Sequence, residues 1–130
     1  VGFSQNLFNA LSSSNINIIM ISQSSCEYSM YLVINYKDLH IAKNQLNQIY
    51  QCSIENEEMK IEFLEEKSLL AIETNNSLNI TPLMLIIYNI LNQQQTTIYT
   101  QNTSDHNICF IIDKDKLLNI HQLIHQKIFS

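Results

Sequence analysis

The chain has 130 residues, of which 45% are apolar, and its net charge is −5. That length bounds it to one domain or two very small ones. All seven basic residues are lysines, so the arginine-bearing basic stripe of a nucleic-acid surface is excluded, and no apolar run approaches the roughly eighteen residues of a membrane-spanning helix.

Phe3–Leu11 carries apolar residues at 3, 7, 8 and 11, the spacing of a helical face. Ile18–Ser22 reads as a strand too continuously apolar to be half exposed, and Tyr28–Ile34 as a second strand rich in β-formers. Asp38–Ile49 places Leu39, Ala42, Leu46 and Ile49 on one face of a second helix. The acidic stretch Glu55–Glu66 reads as a solvated face. Met59–Leu64 and Leu69–Thr74 are expected strands, with Glu65-Glu66-Lys67 as the turn between them. Thr81–Leu91 is an expected helix, with Thr81 as its N-cap and Pro82, the one proline, at its first position. Thr96–Thr100 and His106–Ile112 follow as strands, and Lys114–Phe129 as a last helix.

This order contains a repeat. Asn17–Ile34 aligns with Gln95–Ile112 at an offset of 78, which sets Gln23 on Gln101, Ser25 on Thr103 and Glu27 on Asp105. Upstream, Leu7–Leu11 aligns with Ile87–Leu91 at an offset of 80, which requires a connection shorter by two residues between helix and strand. The fold class expected is α+β: two tandem ferredoxin-like βαββαβ units, 1–64 and 65–130, each an antiparallel sheet with helices on one face. The first unit lacks its leading strand, and Met59–Leu64 would close it as a fourth strand.

Several chemistries find no support. The only glycine, Gly2, cannot make a phosphate-cradling loop, so no nucleotide site of the P-loop or Rossmann kind is expected. Cys26, Cys52 and Cys109 are widely spaced thiols that fit a reducing, cytoplasmic compartment, and the first residues lack a secretory pattern. His121 and His125 stand one helical turn apart without a third ligand, so they read as surface residues and no metal site is expected. No nucleophile–base constellation stands out.

The residues narrow the choice among the many roles of such units. Gly2-Phe3, Leu7-Phe8, Ala10-Leu11, Asn15–Ile18 and the phrase Met20-Ile21-Ser22-Gln23-Ser24-Ser25 with Glu27 and Ser29 resemble the tandem ACT regulatory region of aspartate kinases. Ser104–Phe110, Leu123-Ile124-His125 and Ile128-Phe129 resemble the close of the second ACT unit in that family.

That resemblance implies a regulatory region that binds an end-product amino acid, threonine or lysine. Binding would inhibit the ATP-dependent phosphorylation of aspartate carried out by an N-terminal kinase domain. Neither catalytic residues nor a cofactor are expected in this chain; ATP and magnesium would belong to the kinase domain. A homodimer through the ACT units is implied, as is fusion to homoserine dehydrogenase in some members. The effector-binding residues expected are Gly2, Phe3, Ser4, Ser22, Gln23, Ser24, Ser25 and Gln101. A helix start at Gly2-Phe3-Ser4 can offer free backbone N–H groups to a carboxylate, and Gly2 has no Cβ to hinder close approach. An amide both donates and accepts. The resemblance assigns effector contact to Gln23, with Gln101 as its echo; Glu27 and Asp38 are further acceptors for a lysine ammonium. The second unit has Asn75–Asn79 where the glycine is expected, so the first unit is expected to hold the main site. A free-standing ACT-type binding protein or a purely structural dimerisation module is the competing reading. The missing leading strand weighs against it.

Overall fold

The computed structural model describes residues 3–23, 30–74 and 80–129. The chain divides into two compact units, Val1–Glu65 and Glu66–Ser130.

In unit one, helix α1 (Phe3–Ser13) is followed by strand β1 (Ile18–Gln23), strand β2 (Met30–Ile34), a 3-10 turn over Tyr36–Asp38, helix α2 (Leu39–Ile49) and a short helix α3 (Gln51–Glu55). Both expected helices and the first two expected strands form, with α2 preceded by the 3-10 turn and α3 unforeseen. β1 and β2 are antiparallel, with Ile21 opposite Leu32 and Gln23 opposite Met30. Leu7, Leu11 and Ile16 pack with Ala42 and Leu46 of α2, while Ile18, Met30, Leu32 and Ile34 close on this core from the sheet. Helical periodicity puts Leu7 and Leu11 one turn apart on one face, and the same holds for Ala42 and Leu46.

One expected strand of unit one does not form. Met59–Leu64 has no strand assignment, although its exposure alternates as a strand's would, with Ile61 and Phe63 against the core and Lys60, Glu62 and Leu64 outward. Lys60 Nζ and Glu62 Oε1 are 2.8 Å apart on the outer side. Residues two apart share a side in extended chain. The stretch has the strand pattern without a ladder partner, because β1 and β2 are the whole of the described sheet in this unit.

In unit two, strand β3 (Lys67–Glu73), helix α4 (Ile80–Gln93), strand β4 (Thr100–Thr103), strand β5 (Asn107–Asp113), a 3-10 turn over Lys114–Lys116 and helix α5 (Leu117–Phe129) follow in order. The sheet order is β3-β5-β4, antiparallel throughout. Glu66, at φ 59°, turns the chain into β3 in the left-handed region. α4 starts one residue earlier than expected. Thr81 therefore lies in the first turn rather than at the cap, and Pro82 also sits in that turn, where its missing N–H breaks no helical bond. β4 starts four residues later than Thr96–Thr100 would have it, because the Thr96 amide donates back to Leu91 of α4 and the ladder with β5 runs on into Gln101, Asn102 and Thr103.

The core of unit two lies between the sheet and its two helices. Leu70 and Ile72 of β3, Ile108, Phe110 and Ile112 of β5, Ile80, Ile87, Ile90 and Leu91 of α4 and Ile120 and Ile124 of α5 are buried in it. The sheet residues alternate, so one face of β3 and β5 is apolar and covered. α5 also holds α4 at its end: Lys116 Nζ donates to the Gln94 carbonyl at 2.8 Å and Asn119 Nδ2 to Gln94 Oε1 at 2.7 Å. A cation on the last carbonyls of a helix suits its dipole.

Asp113, at the end of β5, is held by two donors. Lys67 Nζ lies 2.8 Å from Asp113 Oδ1, and the Tyr99 hydroxyl donates to the same oxygen at 2.9 Å. The ammonium also stands 4.4 Å from the centre of the Tyr99 ring. The Lys67 hydrogen bond, then that of Tyr99, lowers the Asp113 pKa, and the Asp113 hydrogen bond raises that of Lys67. A lowered carboxylate contributes stability that is present above its unfolded value of about 3.9 and is lost as pH falls through the lower folded value. The melting temperature of the native chain is therefore expected to drop below about pH 4 more steeply than that of Asp113→Asn. Parallel slopes for the two proteins in thermal melts between about pH 2 and 5 would refute the pairing.

Candidate functional site

The two units can be superposed through their own hydrogen bonds. At the end of α1, Asn15 N donates to Ser12 O and Ile16 N to Leu11 O; at the end of α4, Gln95 N donates to Asn92 O and Thr96 N to Leu91 O. Asn15 (φ 59°) and Gln95 (φ 51°) are both left-handed. This is the same helix-ending turn, displaced by 80 residues. The displacement of 80 persists into the next strand, since Ile21 faces Leu32 in unit one and Gln101 faces Phe110 in unit two. From β2 and β5 onward it becomes 78, as the 3-10 turns at Tyr36 and Lys114 and the helices at Leu39 and Leu117 show.

The two-residue difference therefore lies in the hairpin connection after the first strand, not before that strand. Between the paired residues Gln23 and Met30 stand six residues, 24–29; between Thr103 and Ile108 stand four, 104–107. This corrects the expected equivalence of Gln23 with Gln101. The counterpart of Gln23 is Thr103, that of Ser22 is Asn102, and Gln101 corresponds to Ile21.

The positions follow. Helix α1 runs out through Ser13, the chain turns over Ser14–Asn17, and β1 runs back to Gln23. A helix followed closely by a strand that packs on it brings the start of the one and the end of the other to the same end of the unit. Phe3 and Ser4, the first described residues of α1, and Ser22 and Gln23, the last of β1, are thus on one end of unit one. Ser22 faces Tyr31 of β2 and is half-buried. Gly2, Ser24 and Ser25 lie outside the described residues. α1 has no acidic residue in its first turn to compete for its free N–H groups.

Gln101 does not join the corresponding end of unit two. It faces buried Phe110 in the ladder, and its Oε1 accepts a 2.9 Å hydrogen bond from the Tyr88 hydroxyl of α4. Tyr88 also stands edge-on to Phe110, ring centres 5.7 Å apart at 79°. At the matching positions unit one has Phe8 and Ile21. An apolar pair in one copy is thus a hydroxyl–amide pair in the other, and Gln101 serves the packing of α4 on its sheet. Sequence reading missed Tyr88 and Thr103. The signal was present: four polar residues separate Leu11 from Ile16 and four separate Leu91 from Thr96, so helix and strand share one offset.

Tyr88→Phe is expected to destabilise the chain by about 1–2 kcal/mol, because it strands the Gln101 amide in a half-buried site. Adding Gln101→Ile, which restores the pairing type of unit one, should recover most of that loss. A double mutant no more stable than Tyr88→Phe in urea titration would show that the pair is not coupled.

Glu66, Asp113, Lys114 and Asp115 line an open concavity in unit two, none of them among the expected effector residues. Among the described residues no group of three or more histidine, cysteine, aspartate or glutamate side chains is placed to hold a metal ion, and the ring centres of His121 and His125 lie 6.3 Å apart.

Residues 1–50 match the family model of the ACT domain. Over nearly its whole length the chain is similar to aspartate kinases. It is 23% identical over 133 aligned residues to the bifunctional aspartokinase/homoserine dehydrogenase of Haemophilus influenzae, with all of this chain and 16% of that protein covered. It superposes on the ligand-free regulatory subunit of aspartate kinase from Thermus thermophilus with a TM-score of 0.76 at 19% identity, covering 97% of this chain and 83% of that one. On E. coli aspartokinase III in complex with lysine and aspartate the TM-score is 0.66 at 20% identity, covering 99% and 28%. The fold is that of the ACT regulatory regions of aspartate kinases, and the chain spans about a sixth of the length of the curated relative it matches.

Proposed function

We propose that the chain is the regulatory part of an aspartate kinase and that its first unit binds an end-product amino acid, threonine or lysine. The observation that carries this is the ACT match confined to residues 1–50, together with a chain order that puts the α1 start and the β1 end at the same end of unit one. The effector's carboxylate is received by the free N–H groups at the start of α1, and its ammonium or side-chain polar group by Gln23 and the Ser22–Ser25 hydroxyls. The E. coli neighbour is a complex with lysine, which makes lysine one of the two ligands to test. The I-S-Q phrase favours threonine.

Inhibition requires the effector to prefer one of two states of the whole enzyme. Those states belong to an assembly with a kinase domain, which would hold ATP and magnesium, and with a second copy of the regulatory region. Unit two has Thr103 where unit one has Gln23, a hairpin connection two residues shorter, and no glycine before α4. It therefore contributes structure rather than a second equal site. Titration calorimetry with threonine and with lysine tests the proposal. One site per chain for one of the two supports it. No heat and no thermal shift with either would favour a structural ACT module, and two equal sites would overturn the assignment to unit one.

A further inference from the structure

We propose that His121 and His125 of α5 form a surface site for one divalent transition-metal ion of the kind that imidazole suits: zinc, nickel or copper. Spacing alone set the pair aside for want of a third ligand. Two imidazoles on one helix face can chelate such an ion while water fills its remaining positions, as water fills the open position of other zinc sites.

The geometry is close to what a chelate needs. The two residues stand at i and i+4, so their Cβ atoms are about 5–6 Å apart on one face of the helix. Both are exposed. Their ring centres lie 6.3 Å apart, with the planes tilted by 33°. At zinc–nitrogen distances of about 2.0–2.1 Å, two imidazoles in neighbouring coordination positions hold their ring centres about 4.5–5.2 Å apart. A side-chain rotation that closes the pair by about 1–2 Å completes the site.

The backbone beneath the pair is anchored. Ile120 and Ile124, each one residue before a histidine, are 0% and 5% exposed in the core of unit two. The four-residue spacing that sinks the two isoleucines holds the two histidines together on the surface, so binding an ion orders side chains only, and not the helix. The charges agree as well. α5 ends at Phe129, so the pair lies toward the negative end of the helix dipole, which favours a cation. Lys127, the one lysine of α5, is about 200° round the helix from His125. Magnesium and calcium prefer oxygen ligands and are not expected to bind here.

Zinc chloride titrated into the chain in a calorimeter tests this. One ion per chain is expected, with no response to magnesium chloride. His121→Ala and His125→Ala are each expected to bind zinc about a hundredfold more weakly, because two ligands on one scaffold exceed either alone by about that factor or more. Both residues are exposed and alanine is the best helix former, so the variants keep the fold. A further variant moves one imidazole: His125→Gln together with Gln126→His keeps both histidines but sets them five residues apart, off the shared face, and should lose binding as the alanine variants do. Amide resonances of residues 121–125 should shift with zinc in the native chain and not in the three variants. Undiminished binding in His121→Ala or in the moved pair overturns the proposal and assigns the zinc to the thiols or to the other histidines. No binding at millimolar zinc overturns it as well.

Discussion

Phe110→Ala is expected to destabilise unit two by about 3–5 kcal/mol, enough to unfold a domain of this size at ordinary temperature. Phe110 is 0% exposed on the middle strand of a three-stranded sheet. Its neighbours on the covered face include Leu70 across the ladder, and Tyr88 meets its ring edge-on. A truncation there removes the apolar transfer energy and the ring pair, and it leaves a void that two strands and a helix cannot close. The internal control is Leu32→Ala. Leu32 holds the same position in unit one but is only half-buried, so its truncation should cost about 1–2 kcal/mol. Urea titration followed by amide resonances of each unit separates the two effects. Equal losses would contradict the difference in burial between the two positions.

That contrast also bears on what the sequence could reveal. Helices α1, α2 and α5 and strands β1, β3 and β5 were legible because their apolar spacing matches their period over many residues. The tandem units were legible because the repeat preserves the order helix, strand, strand, helix. The placement of the two-residue gap was not. Gln23 and Gln101 share a side-chain type, and identity in a strand outweighed the equal count of polar residues after the two helices. The structure decides by backbone: the left-handed Asn15 and Gln95 tie each helix end to the following strand with the same bonds. Gln101 is then a core-facing residue bonded to Tyr88. Met59–Leu64 has the period of a strand, but a strand needs a partner as well as a pattern, and periodicity says nothing of partners. The candidate site was legible as a phrase, Met20–Ser25 after Gly2-Phe3; which unit carries a matching second copy of it was not.

Gln23→Ala is expected to weaken effector binding by tenfold or more, while Gln101→Ala leaves it unchanged and lowers only stability. The reasoning is the corrected equivalence. Gln23 ends β1 at the end of unit one where α1 begins, the end at which the proposed effector would be held. One hydrogen bond to a charged ligand group contributes about 1.5–3 kcal/mol, or about ten- to a hundredfold in affinity. Gln101 is two residues inside β4 and bonded to Tyr88; removing its amide strands the Tyr88 hydroxyl without touching unit one. Thermal melts give the same answer in stability. At about a hundred times its Kd an effector that binds only the folded chain adds about 2.7 kcal/mol. That gain should persist in Gln101→Ala, and at the same ligand concentration it should shrink to about half or less in Gln23→Ala. Two variants with equal loss of binding would restore Gln101 as the echo of Gln23 and overturn the superposition. Loss in Gln101→Ala alone would move the effector site to unit two, where a hydroxyl, Thr103, stands at the end of the strand and the hairpin connection is shorter by two residues.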